Sequence, residues 1–202
     1  MSTPENLMDT PLILASASPR RRQLLERAGY RFAVQPAPES VEHIDGSGLS
    51  PRELVGALAF RKARFVARQH DQALILAADT VAECRGTILG KPRDRDHARE
   101  MLTRLRGQPH FVHTGICLWN RPDDQKRLET DSTELVMARL SDRQLEDYLD
   151  SGLWQGKAGA YGYQDDPDWV RITRGSESNV VGLPMELLSD MLSDLGSPPP
   201  GG

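Results

Sequence analysis

The sequence predicts an α/β protein: a mixed twisted sheet with flanking helices, two lobes of one domain around a central cleft. Three observations carry this expectation. Short apolar runs at Leu12 to Ala15, Phe32 to Val34 and Ala73 to Ala78 alternate with segments of helical period. Ser18-Pro19 and Ser50-Pro51 each read as an N-cap followed by a first-turn proline. Phe111 to Trp119 and Arg127 to Leu140 flank Pro122-Asp123-Asp124 as the arms of a hairpin, which argues against an all-parallel sheet. A length of 202 residues suits one such domain.

Taken in order, Met1 to Pro11 is polar and expected to be frayed, and the domain is expected over residues 12–195. The strand Leu12 to Ala15 leads into a helix from Ser18 to about Ala28, with Gly29 as its stop. After the strand Phe32 to Val34, the Pro-, Gly- and Ser-rich stretch Pro36 to Ser50 reads as a loop. Leu54, Leu58, Ala59 and Phe65 give helical spacing to about Gln69. Ala73 to Ala78 reads as a buried strand ending at Asp79-Thr80, with Val81-Ala82 and Thr87 to Leu89 flanking a turn at Arg85-Gly86. Asp94 caps a helix that Gly107 stops, and Ser141-Asp142-Arg143-Gln144 is a capping box before another. Gly152 to Gly162 reads as a glycine-rich loop and Trp169 to Thr173 as a strand. Leu183-Pro184 opens a last helix to about Leu195, and residues 196–202 read as a disordered tail.

Composition narrows the function. A net charge of −4 argues against a protein whose main task is gripping nucleic acid. No apolar run approaches the roughly 20 residues of a membrane span, and no signal peptide is read at the N-terminus. The two cysteines fit no disulfide framework or zinc pattern, so a cytoplasmic protein is expected. Among 25 basic residues only four are lysines, and Lys62, Lys91 and Lys157 sit in small-residue surroundings. A compact ammonium there suits a phosphate.

Three segments could carry chemistry. Ser16-Ala17-Ser18-Pro19-Arg20-Arg21 joins a strand to a helix N-terminus, where unpaired N–H groups, hydroxyls and guanidiniums suit phosphate. An ordinary capped helix with solvated arginines reads the same way. Asp79 stands at the expected end of a buried strand, where a carboxylate can bind a divalent ion or act as a base; a turn aspartate is the alternative. In Gly156 to Gln164, small residues allow close approach to a ligand, Lys157 can meet a phosphate and Gln164 can read a base edge. The plain alternative is a flexible loop. The five histidines show no metal spacing and read as structural or solvated, with His110 and His113 on opposite strand faces.

In combination these segments are more specific than any one alone. Leu12 to Arg21, Phe60-Arg61-Lys62-Ala63, Ala78-Asp79-Thr80, Leu89-Gly90-Lys91-Pro92, His113-Thr114-Gly115, Lys157 to Gly162 and Asn179 to Pro184 together resemble the Maf family. The resemblance implies a nucleoside triphosphate pyrophosphatase with the α/β fold shared with inosine triphosphatases, a role linked to septum formation, and a divalent metal cofactor, Mg²⁺ or Mn²⁺. It puts the proton acceptor on Asp79 and three specificity positions on Arg20, Thr80 and Gln164, as in the subgroup acting on dTTP and UTP. Substrate phosphates are expected to meet Ser16, Ser18, Arg21, Lys62, Lys91 and Lys157, and Asp79 with Glu42 to hold the metal; Glu39 is a rival for that second position. The chain departs from the family pattern at Gly156 and Asp165, where Asp and Gly are usual. The expected partner is the nucleotide alone, without nucleic acid or membrane; a homodimer is common among relatives. The alternatives are a 7-methyl-GTP pyrophosphatase and a nucleotide-binding regulator of cell division without turnover.

Overall fold

The computed structural model describes residues 10–165 and 168–196. The expectations for Met1 to Asp9 and for Ser197 to Gly202 fall outside those residues. One seven-stranded mixed sheet forms the centre, in the order β2-β1-β3-β5-β6-β7 with β4 paired to β3. Its strands are β1 (Leu12–Leu14), β2 (Phe32–Val34), β3 (Leu74–Cys84), β4 (Thr87–Leu89), β5 (Pro109–Asn120), β6 (Gln125–Met137) and β7 (Val170–Arg174). Strands β1, β2 and β3 run parallel, and the pairings of β3 with β4 and β5, of β5 with β6 and of β6 with β7 are antiparallel.

Among the described residues the α-helices are α1 (Pro19–Arg27), α2 (Pro51–Ala67), α3 (Arg95–Leu105), α4 (Asp142–Ser151), α5 (Glu177–Val181) and α6 (Met185–Asp194). The starts read from sequence are present as bonds: Ser18, Ser50, Asp94 and Ser141 each accept a backbone N–H of the first turn. Other expectations change. The loop after β2 holds a 3-10 turn at Glu39–Glu42, the glycine-rich loop holds another at Ala158–Ala160, the second hairpin arm ends at Met137 rather than Leu140, and α5 lies where no helix was expected.

The larger correction concerns β3. It does not end at Asp79-Thr80 but runs eleven residues to Cys84, because β5 pairs with it continuously from Leu74 to Glu83. Asp79 is therefore in the middle of a strand. The cleft forms there for a topological reason. On the edge of β3 away from β5, β1 covers Leu74 to Leu76 and β4 covers Ala82 to Cys84. Between them Asp79 faces a gap in the sheet edge, and the chain leaving β1 enters α1 beside it.

Alternation along β3 and β5 sorts the core. Ile75, Ala77, Cys117 and Trp119 face α2, packing on Ala59, Ala63 and Val66. Leu74, Leu76, Ala78, Ile116 and Leu118 face the other way, onto Leu25 of α1 and Leu188, Met191 and Leu192 of α6. Further along that second face, Ala82, Cys84 and Val112 pack on Met101, Leu102 and Leu105 of α3 and Leu145 and Leu149 of α4. These two ends are the lobes, and β3 and β5 run through both.

Candidate active site

Asp79 and Gly115 are cross-strand partners on the face that meets α2. A Cβ at Gly115 would lie 2.5 Å from the Val55 carbonyl oxygen, so its absence lets α2 settle against the sheet. Two turns beyond Val55 on the same helix face, Lys62 reaches Asp79. Its buried ammonium donates to Asp79 Oδ1 and lies 2.9 Å from Glu42 Oε1, which the 3-10 turn at Glu39–Glu42 carries inward. Burial alone would raise the Glu42 pKa, but the bond and charge of Lys62 outweigh it and hold it below the ordinary value. Glu39, the rival, is exposed and lies outside the cleft.

The opposite wall is organised by Arg21. Its Nε donates to the Gly182 carbonyl at 2.8 Å, Nη1 to Ser16 Oγ at 2.9 Å and Nη2 to Thr80 Oγ1 at 3.0 Å. This guanidinium braces α1, β3 and the end of α5 together. Burial lowers its pKa, and the Asp79 charge opposes that shift. Thr80 Oγ1 is also 2.9 Å from Thr114 Oγ1, whose hydroxyl donates to the Asn179 carbonyl. Thr80 and Asp79, adjacent in sequence, thus point to opposite sheet faces, and the cleft wraps around the open edge between them.

A cavity of about 390 Å³ collects all eleven residues anticipated from sequence: Ser16, Ser18, Arg20, Arg21, Glu42, Lys62, Asp79, Thr80, Lys91, Lys157 and Gln164. Lys91 and Gln164 are exposed and Arg20 is partly exposed at its walls. The Gly90 carbonyl accepts the Gly159 N–H at 3.0 Å, joining the Lys91 turn to the Lys157 loop. Gly159 adopts φ 69°, which favours glycine. Apolar lining comes from the second face, with Ala82, Leu105, Val112, Leu135 and Val170. The cavity is therefore charged at the sheet gap and apolar toward α3.

Three site residues were not anticipated. Asp165 bonds Lys157, while in the sequence it is only a departure from the family pattern. Asn179 is fully buried and donates to Val112 O at 3.1 Å and Thr133 Oγ1 at 2.8 Å, pinning α5 beneath the cleft. His110, on the opposite strand face from His113 as expected, is buried in the cavity wall, and burial lowers its pKa.

Asp79 and Glu42 each spend one oxygen on Lys62. Among the described residues no group of three or more His, Cys, Asp or Glu converges on a cation position. Two carboxylates without a full cage suit Mg²⁺, which completes its oxygen shell from substrate phosphates and water; the donors fit such an ion.

Fold and cleft define a class: an α/β protein with a cleft at a gap in its sheet edge, lined there by charged side chains. The chain belongs to the Maf family, whose Maf-like protein model matches residues 11–195. It is 54% identical over 184 residues to a dTTP/UTP pyrophosphatase of Rhodopirellula baltica, covering 91% of this chain and 81% of that one. It is 44% identical to a dTTP/UTP pyrophosphatase of Salinibacter ruber, covering 90% of this chain and 89% of the other. A solved HAM1 protein from Coxiella burnetii aligns at 17% identity and a TM-score of 0.49, over 92% of this chain and 99% of that one.

Proposed function

We propose that this chain hydrolyses nucleoside triphosphates, dTTP and UTP foremost, to the monophosphate and pyrophosphate. The observation that supports it most is the convergence of the eleven residues on one cavity, with the Asp79–Lys62–Glu42 cluster at its charged end. Relatives named dTTP/UTP pyrophosphatase support the same reading.

Water attacks the α-phosphorus in line, the bond to the bridging oxygen breaks, and pyrophosphate leaves. Asp79 accepts the water's proton. Lys62 fixes that carboxylate in place, since its ammonium is buried and shared with Glu42. Lys91 and Lys157 meet the charge growing on the leaving pyrophosphate. The segment that enters α1, with Ser16, Ser18 and Arg20, faces the phosphates with N–H, O–H and guanidinium donors; Arg21 holds that segment in register. A Mg²⁺ or Mn²⁺ ion held by Asp79 and Glu42 would neutralise phosphate charge and polarise the reacting bond. Gln164 pairs with O4 and N3–H of uracil or thymine, while the ring rests on the apolar wall. The cytoplasm is the proposed compartment, on the free buried thiols Cys84 and Cys117.

The test is pyrophosphate release from dTTP, UTP, CTP, ATP, GTP and 7-methyl-GTP with Mg²⁺ or Mn²⁺, on the wild type and Asp79→Asn. The expected profile is led by UTP and dTTP, and Asp79→Asn loses on the order of 10²-fold or more. No release from any triphosphate would overturn the hydrolytic reading. A flat profile, or one led by 7-methyl-GTP, would overturn the base assignment.

A further inference from the structure

We propose that Asp165 is a built-in counter-ion that competes with the leaving pyrophosphate for Lys157 and so limits how tightly the cleft holds its product. This rests on the reading of Lys157 as a phosphate-facing residue.

The Lys157 ammonium lies 2.6 Å from Asp165 Oδ1 and 2.5 Å from Oδ2. Both side chains line the cleft yet are only 15% and 13% exposed, so solvent screens the pair weakly. Asp165 is anchored on its other sides. Its Oδ2 accepts the Tyr148 hydroxyl at 2.6 Å and the Gly162 N–H at 3.1 Å. A Cβ at Gly162 would come within 2.7 Å of that oxygen, so the seat requires the glycine there. Tyr148 is itself held among Tyr161 and Trp169, with ring centroids 5.8 and 5.3 Å away.

The carboxylate is thus the fixed member of the pair and the lysine, on its four-carbon stem, the movable one. An ammonium has three N–H donors, and two oxygens of Asp165 already draw on them. A phosphate arriving at Lys157 must share those donors or take them over. The carboxylate also cancels part of the positive charge the phosphate meets. The same competition acts when pyrophosphate leaves, because Asp165 can recapture the ammonium.

A purely structural role for Asp165, as a clasp on the 157–165 loop, predicts the opposite sign: weakening the clasp would loosen the loop and weaken binding. Calorimetric binding of pyrophosphate in the presence of Mg²⁺ separates the two. Asp165→Asn keeps the shape and removes the charge. The expected result is about tenfold tighter pyrophosphate binding, the lower end of what one charged hydrogen bond contributes, with a matching fall in KM for UTP. In a Lys157→Ala background the same change should have no effect. Tyr148→Phe removes a rival donor and leaves the carboxylate more fully to Lys157, so it should weaken pyrophosphate binding; a mere clasp predicts no opposition between the two variants. Weaker or unchanged binding in Asp165→Asn overturns the inference, as does equal tightening without Lys157. If the wild type hydrolyses UTP but Asp165→Asn behaves so, only the counter-ion role falls; if the wild type turns over no triphosphate and binds no pyrophosphate, both readings fall.

Discussion

Replacing Lys62 with methionine keeps the buried stem of that side chain and deletes its charge. Asp79, whose side chain is 13% exposed, then loses its cation, and Glu42, at 35%, loses a partner it can exchange for water. Removing one member of a buried pair costs about 3–5 kcal/mol. The Asp79 carboxylate borders a solvent-filled cleft, which puts it at the low end, and the Glu42 share is at most about 1 kcal/mol after screening. A loss of about 3 kcal/mol is the sum expected, and at roughly 2–4 °C per kcal/mol for a chain of this size it lowers Tm by about 6–12 °C. Thermal unfolding of the wild type, Lys62→Met, Asp79→Asn and the double variant reads this directly. Asp79→Asn should cost less, since its amide oxygen still accepts from Lys62, which keeps Glu42. The double variant, with neither charge present, should recover to within about 1 kcal/mol of the wild type. A Lys62→Met protein melting within 2 °C (about 0.5–1 kcal/mol) of the wild type, or a double variant no more stable than the single, would refute the account of that cluster.

Gly115→Ala puts a methyl group 2.5 Å from a helix carbonyl, so α2 must lift; the expected cost is about 1–3 kcal/mol or more, and UTP hydrolysis should fall because Lys62 moves away from Asp79. Unchanged Tm and activity would show that α2 is not held by that contact. Gln164→Glu loses the amide donor and should cut kcat/KM for UTP by more than for a poor substrate such as ATP; an equal drop on both would remove Gln164 from base reading. Burial lowers the pKa of both His110 and His113. The folded state therefore binds their protons less readily than the unfolded chain, so their contribution to stability is present above pH 6.5 and is lost as pH falls through their folded values. Tm measured from pH 7.5 to 5 should decline more steeply for the wild type than for His113→Gln; identical slopes would exclude His113 as a contributor.

Much of this was legible because local chemistry decided it. Ser18, Ser50, Asp94 and Ser141 announce helix starts, since a short polar side chain before a helical stripe has one evident use. The short strand β2 carries the bounds its apolar run gives it. The extent of β3 was hidden: up to Ala78 it is buried on both faces and reads as a short apolar run, and beyond Asp79 the long pairing with β5, joined by β4 from Ala82, keeps it extended. Helix α5 is five residues long, too short for a hydrophobic period to register, and is fastened by Asn179 to β5 and β6 rather than by its own pattern. The site residues were legible as a set because their order along the chain resembles one family. Their division of labour was not. Arg21, expected on phosphate, spends its donors on Gly182, Ser16 and Thr80, and Asp165, lying in an acidic stretch, looks like a solvated turn until the fold brings Lys157 against it.

The long strand that passes through both lobes has a mechanical consequence. Asp79 sits near its midpoint, with main-chain bonds to β5 on one side, and its side chain emerges where the other side is uncovered. The halves share three long strands, β3, β5 and β6, and a widening or narrowing of the cleft that bends this shared sheet has β3 at the cleft floor as its pivot. A group on the pivot travels least, while Lys91, Lys157 and Gln164, carried on turns farther out, sweep the longest arcs. On the proposed mechanism, the Asp79 carboxylate then holds one position while the outer residues close on the nucleotide.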